Sequence, residues 1–213
     1  MHTEPTVVVI AKEPVPGRVK TRLTPPCTPE QAADLAEAAL ADTLDVVRRV
    51  PARRRVLALD GESGAWLPPG FDIVPQVSGT LDRRLAGVMS VVDGPMILVG
   101  MDTPQLSPEL MSCDFDARPA WLGRAEDGGF WLLGLADPDP ALVEGVPMSV
   151  SSTYSRQRER LESAGLAIGA VPPLRDVDTW SDAEAVAKAA PGTRFARRYV
   201  ETLAAMGIGA ETR

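Results

Sequence analysis

Four basic residues crowd a short segment near the N-terminus of the 213-residue chain: Lys12, Arg18, Lys20 and Arg22. Prolines stiffen this segment, residues 11–23, and Gly17 would let its backbone approach a ligand closely. Lys20 and Arg22 stand at alternate positions, so an extended backbone would turn both cations to the same side. The pattern predicts a phosphate-binding loop, and a solvated basic loop is the simpler alternative.

Two common phosphate-binding motifs do not account for this loop. The Walker pattern needs a glycine directly before Lys-Thr, whereas Val19 precedes Lys20 here. No GxGxxG pattern occurs in the chain, so a dinucleotide-binding fingerprint is also absent.

Carboxylates that could hold a metal ion occur in two distant segments. Asp102 directly follows the apolar run 95–101, and Asp176 and Asp178 stand two positions apart further along the chain. Mg²⁺ and Mn²⁺ prefer oxygen ligands and share them with substrate phosphates. We therefore expect Asp102 to bind a divalent cation, with one or both of the later acids completing the site. The alternative is that these acids cap a turn and a helix.

A second acidic pair, Glu126 and Asp127, precedes two glycines. One of these carboxylates could accept the proton of an acceptor hydroxyl, as a general base does. Asp-Gly-Gly is equally typical of a plain hairpin turn. Both interpretations stay open at the level of sequence.

Composition excludes several other classes of protein. The only histidine is His2, so a zinc site or a Ser-His-Asp hydrolase is hard to build. Cys27 and Cys113 do not form a CxxC pair, and we expect no disulfide between them. The formal net charge of −7 argues against nucleic-acid binding. No apolar stretch approaches the ~20 residues of a membrane span, and no signal peptide is evident, so we expect a cytoplasmic protein without membrane contact.

The elements that would position these residues alternate between strand and helix. Short apolar runs at 6–11, 54–60, 72–76 and 95–101 are typical of buried strands, and residues 95–101 should lie centrally. Helical spacing follows Thr28, an N-cap candidate, up to about residue 50, and recurs at 80–92. Such alternation predicts parallel pairing and a three-layer α/β/α arrangement with a mainly parallel central sheet.

The second half of the chain shows a different pattern. We expect two strands at 120–123 and 130–135, and helices at 152–164, 181–190 and 193–206. Patches rich in proline and glycine at 66–70, 137–147 and 171–173 are predicted to be loops. One domain over residues 1–213 is expected, with a nucleotide-binding half at about 1–105 and an acceptor half at about 106–213.

Four stretches resemble a bacterial family with the glycosyltransferase-A-like (nucleotide-diphospho-sugar transferase) fold. They are AKEPVPGRVKTRL (11–23), VGMDTPQLSPEL (99–110), AEDGGFWLLGL (125–135) and DVDT (176–179). The resemblance implies that Asp102 and Asp178 hold Mg²⁺ or Mn²⁺. It implies nucleotide contacts for Ala11, Lys12, Pro16, Gly17, Arg18, Lys20, Arg22, Gln76 and Arg84. Near Arg84 the chain has Asp82 where the family has a glycine.

Two transferase reactions fit such a site. Glycosyl transfer from a nucleotide sugar to a small-molecule acceptor is the favoured prediction, with Lys20 and Arg22 at the phosphates and Asp127 or Glu126 on the acceptor side. The alternative is nucleotidyl transfer from an NTP to a phosphorylated small molecule with release of pyrophosphate. A nucleotide-binding module without turnover is the third possibility. The sequence is compatible with a monomer or a homodimer.

Overall fold

A computed structural model describes residues 4–207 of the chain, and His2 lies outside them. The strands are β1 (Thr6–Lys12), β2 (Arg54–Asp60), β3 (Asp72–Pro75), β4 (Met96–Gly100), β5 (Ala120–Ala125), β6 (Phe130–Leu135) and β7 (Ile168–Leu174). The helices are α1 (Pro29–Arg49), α2 (Leu81–Met89), α3 (Thr153–Ser163), α4 (Trp180–Ala189) and α5 (Arg194–Ala205). Short 3-10 turns cover Thr21–Leu23, Glu109–Met111 and Pro140–Leu142. None of the helices within residues 4–207 is long and apolar enough to cross a membrane.

All seven strands form one sheet in the order β3-β2-β1-β4-β6-β5-β7. β6 runs antiparallel to both of its neighbours, and the other neighbouring pairs are parallel. The predicted α/β class and mainly parallel sheet are confirmed, and β4 is the central strand, as its hydrophobicity predicted. The sheet takes strands from both the 1–105 and the 106–213 segments.

The two faces of the sheet are covered by different helices. Alternate residues of β1, such as Val7 and Val9, pack on one face with α1, whereas Val8 packs on the other face with α2. Leu161 of α3 belongs to the same cluster as Val8. α4 and α5 pack outside α1 in a third cluster. Because both faces of the sheet are buried, the strand sequences are continuous apolar runs rather than alternating apolar and polar residues.

Helix α1 begins where its capping residues predict. The Thr28 side chain accepts a hydrogen bond from the Gln31 amide, and the Gln31 side chain accepts one from the Thr28 amide. Pro29 occupies the first helical position, where a missing N–H has no cost. This capping box ends the basic loop and fixes the direction in which the chain leaves the site.

Residues 171–173 were predicted to be a loop, and that prediction is wrong because they lie within β7. In the described part of the chain, β7 lies at the edge of the sheet and pairs only with β5. A proline is tolerated there because its missing N–H can face outward, away from the ladder. The strand also delivers the acids at 176–178 to the site, so this correction bears on function.

Candidate functional site

The strand order has its switch point between β1 and β4, where open α/β sheets form a ligand-binding crevice. From β1 the chain moves outward to β2 and β3, then returns to the other side of β1 to form β4. In open α/β sheets, ligands bind at such a switch point, beyond the carboxyl ends of the strands. The basic loop leaves β1 at this point and Asp102 follows β4, so both segments predicted to carry chemistry border the same crevice.

Lys20 spans the crevice. Its Nζ lies 2.7 Å from Asp102 Oδ1 and donates a hydrogen bond to the backbone oxygen of Val177. The Lys20 side chain is only 9% exposed, whereas that of Asp102 is 40% exposed. The Lys20 ammonium group therefore contacts oxygens of two segments that are distant in sequence, at Asp102 and at Val177.

The backbone at Lys20 differs from the predicted extended segment. The backbone of Lys20 is in the left-handed region, with φ 48° and ψ 37°, and Lys20 directly precedes the 3-10 turn Thr21–Leu23. The prediction of an extended backbone is therefore wrong. The turn still directs Arg22 toward the 176–178 segment, because its Nη1 binds Asp178 Oδ2. Arg22 is 73% exposed, so solvent weakens this ion pair.

Asp176 is the acid that the structure places beside Asp102. The Val177 amide donates to the Asp102 carbonyl oxygen at 2.9 Å, which brings the two segments together. Burial raises the pKa of the Asp176 carboxyl to about 7, and the charges of Asp102 and Asp127 add to this effect. Asp178, which the resemblance assigns to the metal, is instead bound by Arg22 and stays a prediction as a metal ligand.

The seam between residues 102–105 and 175–177 contains an unusual set of oxygens. Gln105 Nε2 donates to the Arg175 carbonyl oxygen at 2.6 Å and holds the seam closed. Within residues 4–207, four buried side-chain atoms have no hydrogen-bond partner. Three of them belong to this seam: Thr103 Oγ1, Gln105 Oε1 and Asp176 Oδ1. Buried oxygens normally have a partner, so these atoms favour a ligand that supplies one.

This chemistry fits a divalent cation that shares its coordination with substrate. In the described part of the chain, no three His, Cys, Asp or Glu side chains are grouped to hold a metal by themselves. Mg²⁺ needs only one or two carboxylates when phosphates and water fill its other positions. Asp102 and the partnerless Asp176 oxygen meet that requirement.

The β5–β6 turn brings the second acidic pair to the same edge of the sheet. β5 runs parallel to β7, so the turn that follows it lies near the end of β7. Asp127 Oδ1 accepts a hydrogen bond from the Gly129 amide at 2.7 Å, as a turn residue does. Glu126 Oε2 lies 2.5 Å from Arg175 Nη2. The antiparallel pairing of β5 and β6 shows that the segment is a hairpin turn. Both acids are exposed, so a role on the acceptor side stays a prediction that the turn does not exclude.

Gln76 directly follows β3 and Arg84 lies on α2, and both side chains reach residues of β1 or β2. Gln76 Nε2 donates to the backbone oxygens of Ala11 and Ala58, both at 2.8 Å, and Gln76 Oε1 accepts from Arg84 at 3.2 Å. Arg84 Nη1 also binds Asp60 Oδ2 at 2.6 Å and lowers the pKa of that carboxyl. The amide donors of Gln76 are thus used within the protein, which suits a residue that shapes the site.

Sequence reasoning missed Asp60. Asp60 is the last residue of β2, and Asp102 lies just beyond the end of β4. The rule that ligands bind beyond the carboxyl ends of strands identified Asp102 and could also have identified Asp60. Lys12 and Arg18 are exposed and close enough to Asp60 to lower its pKa. Neither side chain has a hydrogen bond or ion pair among the residues described. Pro16 and Gly17 are exposed between them, and Gly17 has a φ of 76°.

Solved structures with the same fold cover most of the chain. A protein from Desulfovibrio desulfuricans G20, provisionally named a nucleotide-diphospho-sugar transferase, has a TM-score of 0.84 at 25% identity over 97% of each chain. Rv0371c from Mycobacterium tuberculosis H37Rv, in complex with manganese, has a TM-score of 0.52 at 21% identity over 87% of this chain and 98% of that one. CMP:2-keto-3-deoxy-manno-octonic acid synthetase complexed with CTP has a TM-score of 0.55 at 15% identity, over 89% and 99%. The last two likenesses show the fold alone.

Comparison with models of sequence families assigns the chain to one family. A search of curated proteins finds no match to the chain. Residues 31–150, more than half of the chain, match a family described as an uncharacterized protein conserved in bacteria (DUF2064). That stretch begins in α1, passes through Asp102 and ends before α3. The chain therefore belongs to the DUF2064 family, and its fold is that of the nucleotide-diphospho-sugar transferases.

Proposed function

We propose that the chain is a metal-dependent transferase that uses a nucleotide-activated donor, and that it moves a glycosyl group from a nucleotide sugar to a small-molecule acceptor. One observation carries this proposal: Lys20, Asp102 and Asp176 meet at the switch point of the sheet. The Desulfovibrio protein, which matches over almost its whole length, supports the choice of a nucleotide sugar.

The residues divide into three roles. Asp102 and Asp176, or Asp178 as the resemblance has it, hold Mg²⁺ or Mn²⁺. The bound cation would neutralise charge on the departing diphosphate. Lys12, Arg18, Lys20 and Arg22 bind the donor phosphates, and Pro16 and Gly17 shape the loop that carries them. Gln76 and Arg84 support the nucleoside end through Ala11 and Asp60.

The acceptor side belongs to the β5–β6 turn. Asp127 would take the proton of the acceptor hydroxyl as a general base, because its carboxylate is exposed and lies near Asp176. Glu126 is the weaker candidate because Arg175 already binds it.

A second function, nucleotidyl transfer from an NTP, is favoured by the two cations on the β1 loop. Lys12 and Arg18 are exposed and make no ion pair among the described residues, so they are free to neutralise additional phosphate charge. Attack by an acceptor phosphate would need no general base, and pyrophosphate would leave. The synthetase solved with CTP has the same fold.

Ligand-dependent melting tests the proposal. A panel of NDP-sugars and NTPs is screened with and without Mn²⁺, and a true donor should raise the melting temperature only when metal is present. Asp102→Asn should abolish that shift, whereas Asp137→Asn, which removes an exposed carboxylate after β6, should keep it. Release of NDP would then support glycosyl transfer, and release of pyrophosphate would support nucleotidyl transfer. Binding without either product would indicate a module without turnover.

A further inference from the structure

Lys20 is more buried, and more fully bound by protein groups, than phosphate binding alone requires. Its side chain is almost fully buried, and its ammonium group binds the Val177 carbonyl and the Asp102 carboxylate. Lys12, on the same loop, is exposed and makes no ion pair with a described residue. Lys20 is therefore already committed to one of the two carboxylates expected to hold the metal.

The balance of charge explains why a cation is needed there. The Val177 amide joins the segment of Asp176 to that of Asp102, and the Lys20 ammonium group contacts both segments, through the Asp102 carboxylate and the Val177 carbonyl. Arg22 is engaged by Asp178. Without Lys20, no cation among residues 4–207 would lie within ion-pair distance of the Asp102 carboxylate.

A divalent cation on Asp102 would compete with this lysine. Two cations at contact distance of one carboxylate repel each other strongly unless another anion joins them. A diphosphate supplies that anion, and an ammonium group that leaves Asp102 can bind its oxygens instead. The lysine then moves from the carboxylate to the phosphate as the metal takes its place.

We propose, resting on the cation site of the proposed function, that Lys20 is a resident counter-cation that metal displaces from Asp102 and that donor phosphates then bind. Metal and donor consequently bind as a cooperative pair. Each ligand alone binds weakly, because metal alone must expel Lys20 and phosphate alone must draw Lys20 away from Asp102.

Mn²⁺ binding without nucleotide, measured by electron paramagnetic resonance at pH 8, tests this exchange. Lys20→Met should bind Mn²⁺ about tenfold more tightly than the unaltered protein, although it removes a residue of the nucleotide site. Lys188→Met, an exposed lysine on α4, should leave the Mn²⁺ affinity unchanged. Equal or weaker Mn²⁺ binding by a normally folded Lys20→Met protein overturns the proposal.

The unaltered protein offers a second measurement that does not depend on a variant. The chain has three lysines, so ¹³C-labelled lysine should give three resolvable sets of NMR signals. Mg²⁺ with pyrophosphate should move the Lys20 signal more than the sum of the shifts that each causes alone, and the Lys188 signal should stay in place. Additive shifts at Lys20 contradict the exchange.

Asp102→Asn separates this inference from the proposed function. If Mn²⁺ binding requires Asp102 and Lys20→Met does not strengthen it, the exchange is wrong and the cation site stands. If the unaltered protein does not bind Mn²⁺, the cation site itself is wrong and the exchange falls with it. If the exchange is observed and no donor gives a product, the proposed reaction is what fails.

Discussion

Arg175 and Glu126 form an ion pair with 2.5 Å between Nη2 and Oε2. This contact ties the β5–β6 turn to the segment that carries Asp176, and the Arg175 carbonyl is itself held by Gln105. The two acids of the turn are therefore not equivalent. Glu126 has a structural partner, whereas among residues 4–207 Asp127 is bound only by the Gly129 amide of its own turn.

This difference predicts which acid acts on the acceptor. Asp127→Asn should keep the turn, because an asparagine oxygen can still accept from the Gly129 amide, and should lower kcat about 100-fold or more if Asp127 is the base. Glu126→Gln should lower kcat less than tenfold. Steady-state kinetics with the donor found by the melting screen measures both. Equal losses in the two variants would remove Asp127 from its role.

Gln76 should contribute to stability as well as to the site. Gln76→Leu leaves the carbonyl oxygens of Ala11 and Ala58 without their side-chain donor, which should cost about 2 kcal/mol of unfolding free energy. For a domain of this size, that is roughly 4–8 °C in melting temperature. Gln76→Glu retains the shape but places a carboxylate against two carbonyls, so it should destabilise at least as much. A stable Gln76→Glu protein would show that these hydrogen bonds matter little.

The regular elements could be predicted because local pattern and packing agree. β2 and β6 have the predicted bounds, and α1 begins after the predicted N-cap Thr28. β7 could not be predicted in the same way, because Pro172 and Pro173 are typical loop residues and only pairing with β5 makes this segment a strand. Long-range pairing of this kind leaves little trace in a single sequence.

The site was predictable in its residue types and less so in its contacts. Strand ends identified Asp102, and spacing identified both Asp176 and Asp178 as candidates. Which of the two faces Asp102 depends on the backbone after β7 and on Arg22, whose 3-10 turn the sequence did not reveal. Asp60 was missed although it also ends a predicted strand, so the strand-end rule applied to Asp102 would have identified it.

The raised pKa of Asp176 predicts an unusual dependence of stability on pH. The unfolded state loses this proton near pH 3.8, whereas the folded state keeps it to about pH 7. The contribution of this carboxyl to the unfolding free energy should therefore fall between these two pH values and level off above them. Asp176→Asn should remove this fall and be more stable than the unaltered protein at pH 8 by roughly 4 kcal/mol. Urea unfolding at pH 4 and pH 8 measures the difference, and a gain of equal size at both pH values would contradict the assigned cause.

Metal affinity decides between Asp176 and Asp178 as the second carboxylate. Asp176 lies beside Asp102 with a partnerless oxygen, whereas Asp178 is bound by Arg22, so Asp176→Asn should weaken Mn²⁺ binding at pH 8 by about tenfold or more. Asp178→Asn should weaken it only a few-fold, through the loss of one nearby negative charge and the release of Arg22. Arg22→Met is the matched control, because it frees Asp178 while retaining every carboxylate. If Arg22→Met tightens Mn²⁺ binding and Asp178→Asn abolishes it, Asp178 is the ligand that the resemblance implies, and Arg22 restrains it in the absence of metal.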